Sequence, residues 1–506
     1  MPSSRKFNDK YLLKPVMAAL AVAAALASMS SHAANEADVQ KAIDYAKQHE
    51  KDGAVKASGF GMVSADGESS INLTGMVHFD AHIIRSGLPR ITDKDSASVA
   101  DAFEFRRVRL GVNGTVFKDV DYEVIVNATG TDTNILDTGY LNFSAVKEAQ
   151  VRVGRFRQPY SLEAMTKDNA IDFMERSYGD QLGPNKMLGV GVFGEPRKGV
   201  TYGLSMAQAG FNEITNTDNI GGLGTGRATV NFGELNKLDG QVIHFGASTN
   251  RGKFESTPVT STDSSKAASA DTRATLLTYR TEDRGLANAY RVQIGGDAVT
   301  AAYGALANNA VQIEKTLNDL EFAYATGAFK FQAEASSLIL NADALNCATL
   351  AGPPAVNCNT ITTANLRVTS DTKYAEFVYN LTGERWSDGY KSGAFSFLKP
   401  NSNFHWGEGG TGAWQIGVRV SEYKSSLPGT GSAITDGGNN KSRAENSESA
   451  RTITYGVNWL LNPSTAVKFN YAATKFDRPV YILSTSPSTA TTDTENVFSV
   501  RAQINF

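Results

Sequence analysis

The sequence predicts an all-β protein: a transmembrane antiparallel β-barrel of about 16 strands, with short periplasmic turns, long outer loops, and one or two loops folded into the lumen. Three observations carry this. The C-terminus alternates strictly, with Phe498, Val500, Ala502, Ile504 and Phe506 apolar and Ser499, Arg501, Gln503 and Asn505 polar between them; a period of two marks a strand with one oily and one wet face. Connections between such segments alternate between tight and long, as they do in outer-membrane barrels. The N-terminus carries an export signal, in which Arg5, Lys6, Lys10 and Lys14 precede an apolar run from Val16 to Ala27 and small residues flank a cleavage point near Ala33 or Ala34. An exported chain that ends on an alternating strand and an aromatic residue reads as a barrel in the outer membrane of a Gram-negative bacterium. The alternative, an edge strand of a secreted sandwich, shares the period of two.

Composition narrows the class further. The 506 residues include 46 glycines and only two cysteines, and mean hydropathy is −0.27. The chain is therefore too polar for a helical membrane protein and too long for a disulfide scaffold. Apart from the leader, no stretch approaches the roughly 20 apolar residues of a spanning helix. A net charge of −3 points to no nucleic-acid partner and to no bulk preference for cations or anions, so selectivity must come from where charges sit.

The chain divides into a signal peptide (1–33), a periplasmic leader (34–58) and a barrel (59–506). From Asn35 to about Lys56 the leader reads as a short polar helix, with Val39, Ala42, Ile43 and Ala46 on one face. Strand alternation begins near Ile71, where Leu73, Val77, Phe79 and Ala81 alternate with Thr74, His78, Asp80 and His82. Tight turns fall near Lys118 and Asp119, Gly194 to Gly199, Thr326 to Ala328 and Asn462 to Ser464. Long loops fall at Arg85 to Ala102, Gln158 to Lys186, Ala209 to Thr225, after Asn250, Asn341 to Ser370, Lys424 to Ala450 and Asp477 to Glu495. The count is 16 strands, or 18 if Thr272 to Arg280 and Ala289 to Ile294 form a further wall hairpin. Phe329, Phe331, Phe377, Tyr379, Trp414, Tyr455, Trp459, Phe469 and Tyr471 supply interfacial rings on the lipid-facing side.

Cys347 and Cys358 lie in a loop-like stretch, and the oxidising periplasm predicts that they are bonded. No His or acidic cluster near them favours a metal. His78 and His82 share one face but stand some 13 Å apart by strand rise, too far to hold one ion. Neither a nucleophile elbow nor a phosphate-binding loop occurs, so the chain is expected to be no enzyme and to need no cofactor.

The run VRVGRFRQPYSLEAMTKDNAIDFMERS from Val151 to Ser177 resembles the strand and inward loop of the phosphate-selective porin O and P family. Further blocks of resemblance are GAFKFQAEA from Gly327, Thr382 to Arg385, GAWQIGVRVSEY from Gly412, YGVNWLLNP from Tyr455 and RAQINF from Arg501. The resemblance implies a homotrimeric diffusion channel for small anions such as phosphate. It also implies a third outer loop (158–186) folded inward as a constriction, and a fifth loop that dips inward within Asn250 to Thr316. The alternatives are a general or cation-tolerant porin, or a barrel whose outer loops serve structure or adhesion.

Rows of Arg and Lys replace the hydration of an oxyanion with charge-assisted hydrogen bonds, Arg bidentately and Lys as a point charge. The candidate pore-lining cations are Arg106, Arg107 and Arg109 in FEFRRVRLG, then Arg152, Arg155 and Arg157, then Lys167, Arg176 and Lys186 on and beside the loop. Strict alternation would send Arg106 or Arg107 into lipid, at about 2 to 4 kcal/mol near the midplane. The pair therefore sits near a rim, or a bulge turns both inward. The resemblance assigns that pair to the lumen, while an ordinary wall salt-bridge network accounts for it equally. Lys330, Arg419, Lys468 and Arg501 also face inward by parity, as a ladder of cations. Asp80, Asp121, Glu123, Glu321, Glu334 and Glu376 do so too, and the loop carries Glu163, Asp168, Asp172, Glu175 and Asp180; this weight of acid stands against a dedicated phosphate pore.

Overall fold

A computed structural model describes residues 55–58, 60–86, 101–129, 135–208, 222–256, 274–286, 289–294, 311–344, 348–349, 356–357, 364–407, 409–426, 447–481 and 491–506. Sixteen antiparallel strands form the wall: β1 (Ser70–Ser86), β2 (Ala102–Val116), β3 (Val120–Asn127), β4 (Leu136–Phe143), β5 (Gln150–Arg157), β6 (Lys186–Arg197), β7 (Val200–Gln208), β8 (Gly222–Asn231), β9 (Gln241–Ser256), β10 (Val311–Thr326), β11 (Phe329–Ala344), β12 (Ala364–Asn380), β13 (Ala413–Ser425), β14 (Ser449–Asn462), β15 (Thr465–Tyr481) and β16 (Thr491–Asn505). Each pairs with the next, and β16 pairs with β1 from Glu495 opposite Ser86 to Asn505 opposite Met76, which closes the barrel and removes every sheet edge from the wall. At the seam, Gly75 and Phe506 exchange backbone hydrogen bonds. A Cβ at Gly75 would lie 2.5 Å from the Phe506 ring, so only glycine fits beneath it.

The C-terminal alternation holds in three dimensions. Ser499 and Arg501 are fully buried on the inner face while Phe498 and Ile504 are exposed outward. The signal peptide, most of the leader, Cys347 and Cys358 lie outside the described residues; Ala348 and Thr349, beside the first cysteine, pair with Asn357 and Val356. The end of the leader corrects the helical expectation. Val55 and Lys56 belong to a strand, Val55–Ser58, that pairs with Gly61–Ser64, and the latter pairs with the start of β1.

Two bulges break parity in the wall. On β2, His78 opposes Arg107 and Phe79 opposes Phe105, leaving Arg106 as the extra residue. The bulge lets Phe103 and Phe105 face outward while Arg106 and Arg107 both reach inward. On β4, Ile125 opposes Thr138 and Val126 opposes Leu136, so Asp137 is the extra residue.

The hairpin expected between 272 and 294 exists, as Ala274–Tyr279 paired with Tyr290–Ile294. It forms a sheet of its own and leaves the wall at 16 strands. Its tyrosines are buried inside the barrel, where Tyr279 stacks on Tyr423 of β13 at 4.2 Å and donates or accepts a 2.7 Å hydrogen bond with Ser370 of β12. Two other segments enter the lumen. The third outer loop (158–185) carries the short helix α1 (Leu162–Met165). The inner connection between β12 and β13 (381–412), of which the sequence reading singled out only Thr382 to Arg385, brings Trp386, Tyr390, Phe395 and Leu398 into one buried cluster with Leu162 and Val378. Burying these rings supplies the apolar core that a water-filled cylinder would lack.

Candidate functional site

The third loop is fixed from both ends. Ser161, at a left-handed φ of 44°, accepts from the Ala164 amide and caps α1. The amides of Leu162 and Glu163 donate to the Glu334 carboxylate of β11 at 3.1 and 2.7 Å. Farther along, a row of wall donors holds loop carbonyls: Gln503 to Asn169, Lys468 to Ile171, Asn458 to Asp172 and Arg501 to Met174, at 3.1, 2.5, 2.8 and 2.5 Å. Backbone acceptors that a loop cannot satisfy internally are thus met by the barrel. Glu163 accepts from the Ser177 amide and hydroxyl, at 2.9 and 2.6 Å, and ties the two limbs together.

The predicted cations converge on this loop. Asp168 receives Arg107 at 3.1 Å, Arg176 at 2.5 Å, Arg157 at 3.6 Å, and Arg109. Arg106 chelates Glu175 at 2.6 and 2.9 Å. Arg109 also reaches Asp137 at 3.1 Å, and Lys186 pairs with the same carboxylate. Burial pushes the Asp168 carboxyl up, but Arg107, Arg176, Arg109 and Arg157 outweigh it and hold the group well below the usual carboxylate range. Glu175 is held low in the same way, against burial, chiefly by Arg106. Arg501 also reaches Glu175, at 3.1 Å, and pairs with Asp80 at 2.6 Å. With Asp180 at 3.6 Å from Arg176, seven cations (Arg106, Arg107, Arg109, Arg157, Arg176, Lys186, Arg501) meet five carboxylates (Asp80, Asp137, Asp168, Glu175, Asp180). Seven against five leaves two positive charges.

Exposure divides these cations into two groups. The side chains of Arg106, Arg157, Arg109 and Lys186 are 23, 19, 14 and 14% exposed, while Arg107 and Arg176 are 7 and 8% exposed. Arg107 and Arg176 are thus buried ion pairs, a correction to their place among open pore-lining groups: the loop packs over them. Lys167 is exposed on the loop. Arg152 is half-buried, its guanidinium 4.4 Å from the Tyr140 ring and 4.8 Å from that of Phe193, with Nε donating to Asn142 at 3.3 Å. Arg155 donates to the Asp137 carbonyl at 3.2 Å. The ladder expected of Lys330, Arg419, Lys468 and Arg501 is also corrected. All four are fully buried beneath the inward segments, where Lys330 pairs with Asp172, Arg419 with Glu163 and Glu282, and Arg501 with Asp80.

The inward acids sort by the same rule. Asp80, Glu321, Glu334 and Glu376 are buried behind the loops, whereas Asp121 and Glu123 on β3 remain half-exposed. Water-accessible lumen therefore runs along β2 to β6, past Arg106, Arg109, Arg152, Arg157 and Lys186 and past the acids Asp121 and Glu123. Of the carboxylates that hold the cluster, the sequence reading named Asp168, Glu175 and Asp180 on the loop and missed Asp137. It also missed Arg284 of the fifth loop, whose Nε lies 2.7 Å from Glu104, and Arg227, which forms a two-pronged pair with Glu321 at 2.8 and 2.7 Å. Parity along GLGTGRATV would have found Arg227. Asp80, His82 and Glu104 approach one another closely enough to suggest a cation site, but Arg501 takes both oxygens of Asp80 and Arg284 takes Glu104.

A family model described as phosphate-selective porin O and P matches residues 71–506. Porin O of Pseudomonas aeruginosa is 22% identical over 435 residues, covering 83% of this chain and 86% of that protein. Among solved structures, the outer membrane channel DcaP of Acinetobacter baumannii is similar over 87% of this chain and 97% of its own, with 12% identity and a TM-score of 0.45. OmpT of Vibrio cholerae is similar over 89% of this chain and all of its own, with 10% identity and a TM-score of 0.44.

Proposed function

The chain belongs to the phosphate-selective porin O and P family and is an outer-membrane channel, and on that premise we propose that it passes small anions, phosphate or similar oxyanions, by diffusion past the third-loop constriction. The observation that carries this reading is the excess of two positive charges in the ion-pair cluster that ties the third loop to the wall, four of whose cations reach water. Arg106, Arg109, Arg157 and Lys186 meet the solute there. Arg152, Arg155 and Lys167 extend the cationic surface. Arg107 and Arg176 act as positioning residues, through Asp168. Arg106, Arg109, Arg157 and Lys186 are each shared with a carboxylate, which keeps binding weak enough for the ion to leave.

The working unit is a homotrimer. Strands β3, β4 and β5 have eight residues each, fewer than the nine to eleven or so that a lipid-facing strand needs. Their outward residues, among them Val124, Leu141, Phe143 and Val153, are apolar and exposed. A neighbouring copy covers this low wall where lipid would not match it.

Purified protein in planar bilayers under a potassium chloride gradient tests the channel reading. The expected reversal potential has the sign of anion preference, and added phosphate reduces the chloride current by competing for the same cations. A reversal potential of the opposite sign overturns the anion assignment.

A further inference from the structure

We infer that the inner connection between β12 and β13 carries a membrane anchor, Trp406, which inserts into the headgroup boundary of the periplasmic leaflet. The chain has four tryptophans. Trp386 is buried in the lumen plug. Trp414 and Trp459 lie opposite one another on β13 and β14, among outward-facing neighbours, with rings stacked at 5.1 Å. Their indole nitrogens both donate to the Thr411 carbonyl, at 3.2 and 2.9 Å, so that pair is pinned at the inner end of the wall.

The connection continues this aromatic row away from the strands. Phe404 donates its amide to the Leu461 carbonyl at 2.7 Å and sets its ring 4.9 Å from Trp459. Trp406 stands edge to face with Phe404 at 5.9 Å. A tight local turn, closed by the His405 amide donating to the Gly409 carbonyl at 3.1 Å, holds it there. Trp406 is nevertheless 90% exposed, more than any other large apolar residue described.

A fully exposed indole at the tip of a held turn is costly in water. One that prolongs a lipid-facing girdle has a ready environment, because Trp pairs a large apolar body with one polar N–H and concentrates at the membrane boundary. The occupant of this surface is therefore phospholipid, by continuity with the girdle of Trp414 and Trp459. The same connection has its other limb in the lumen, where Trp386 and Phe395 flank the Lys330 ammonium at 4.4 and 4.5 Å. One segment thus grips both the pore and the bilayer.

The test compares full-length protein with the Trp406→Ser variant, each reconstituted in vesicles of ordinary phosphatidylcholine or of phosphatidylcholine brominated near the headgroup. The fluorescence difference between the two proteins reports Trp406 alone, and the substitution removes only the edge-to-face contact with Phe404. Expected is a Trp406 signal that bromolipid quenches and that aqueous acrylamide reaches poorly. A signal fully quenched by acrylamide and untouched by bromolipid overturns the anchor. So does a signal shielded from both quenchers, which places the indole against protein.

Discussion

Asp168 is the residue on which the constriction turns. Four arginines share one 4%-exposed carboxylate, so the anion is over-satisfied while its partners are not; Arg107 Nη1 and Arg109 Nε are buried without a partner. Removing the carboxylate leaves several buried guanidinium groups uncompensated, and breaking a buried pair in this way costs about 3–5 kcal/mol. Asp168→Asn is therefore expected to lower the urea midpoint of the refolded barrel in detergent and to raise, not lower, its anion preference. An unchanged midpoint would mean that the arginines find their counter-charge elsewhere. The two-residue rule made the basic partners legible, and the lipid cost of Arg106 beside Arg107 made the bulge legible. The loop acids Asp168 and Glu175 were legible as a group but not in their pairing, since they come from a loop some sixty residues away, and Asp137 was not legible because it faces inward only through a second bulge.

The fifth loop is seated by groups that titrate. Its tip holds Asp283 and Arg284 at φ of 55° and 63°, a left-handed pair of non-glycine residues that persists only under constraint. Burial pushes the Asp283 carboxyl up from 3.8 to about 7, with Arg419 opposing and Glu175 and Glu282 reinforcing the shift. Burial likewise raises Glu163, on the loop beneath, from 4.5 to about 7. His82, Arg419 and Glu495 face the same tip. A carboxyl whose folded value lies above its unfolded value holds its proton longer when seated, so seating is strongest below about pH 4 and weakens as pH rises toward 7. Asp168 and Glu175, shifted the other way, keep the third loop fixed across that window. Open-channel current is thus expected to be quieter at pH 5 than at pH 8, and Asp283→Asn should abolish most of the difference; equal noise in wild type at both values would refute the titrating seat. The hairpin was readable from its alternation, but its place inside the barrel came only from the family resemblance, since a buried strand pair and a wall strand share one period. The inner plug of 381–412 shows no period at all, and its apolar residues are gathered only by the lumen they fill.

At the scale of the molecule the barrel is asymmetric in two coupled ways. The shortest strands, β3, β4 and β5 with eight residues each, lie within the stretch of open lumen, while β9 to β12 and β15 run to 16 or 17 residues and back onto the segments that fill the pore. A low wall facing lipid would leave a mismatch of several ångströms against an apolar band about 25 Å tall, whereas a low wall facing another copy buries its apolar residues and leaves no mismatch. Leu141, at mid-strand on β4 and 50% exposed, discriminates between the two. In lipid, an arginine there costs up to about 2–4 kcal/mol and leaves the oligomeric state unchanged. At a protomer interface it places a buried charge against an apolar neighbour and breaks the assembly. Leu141→Arg is expected to yield folded monomers by light scattering in mild detergent where wild type scatters as a trimer, and a trimer that survives the substitution would return this face to the bilayer.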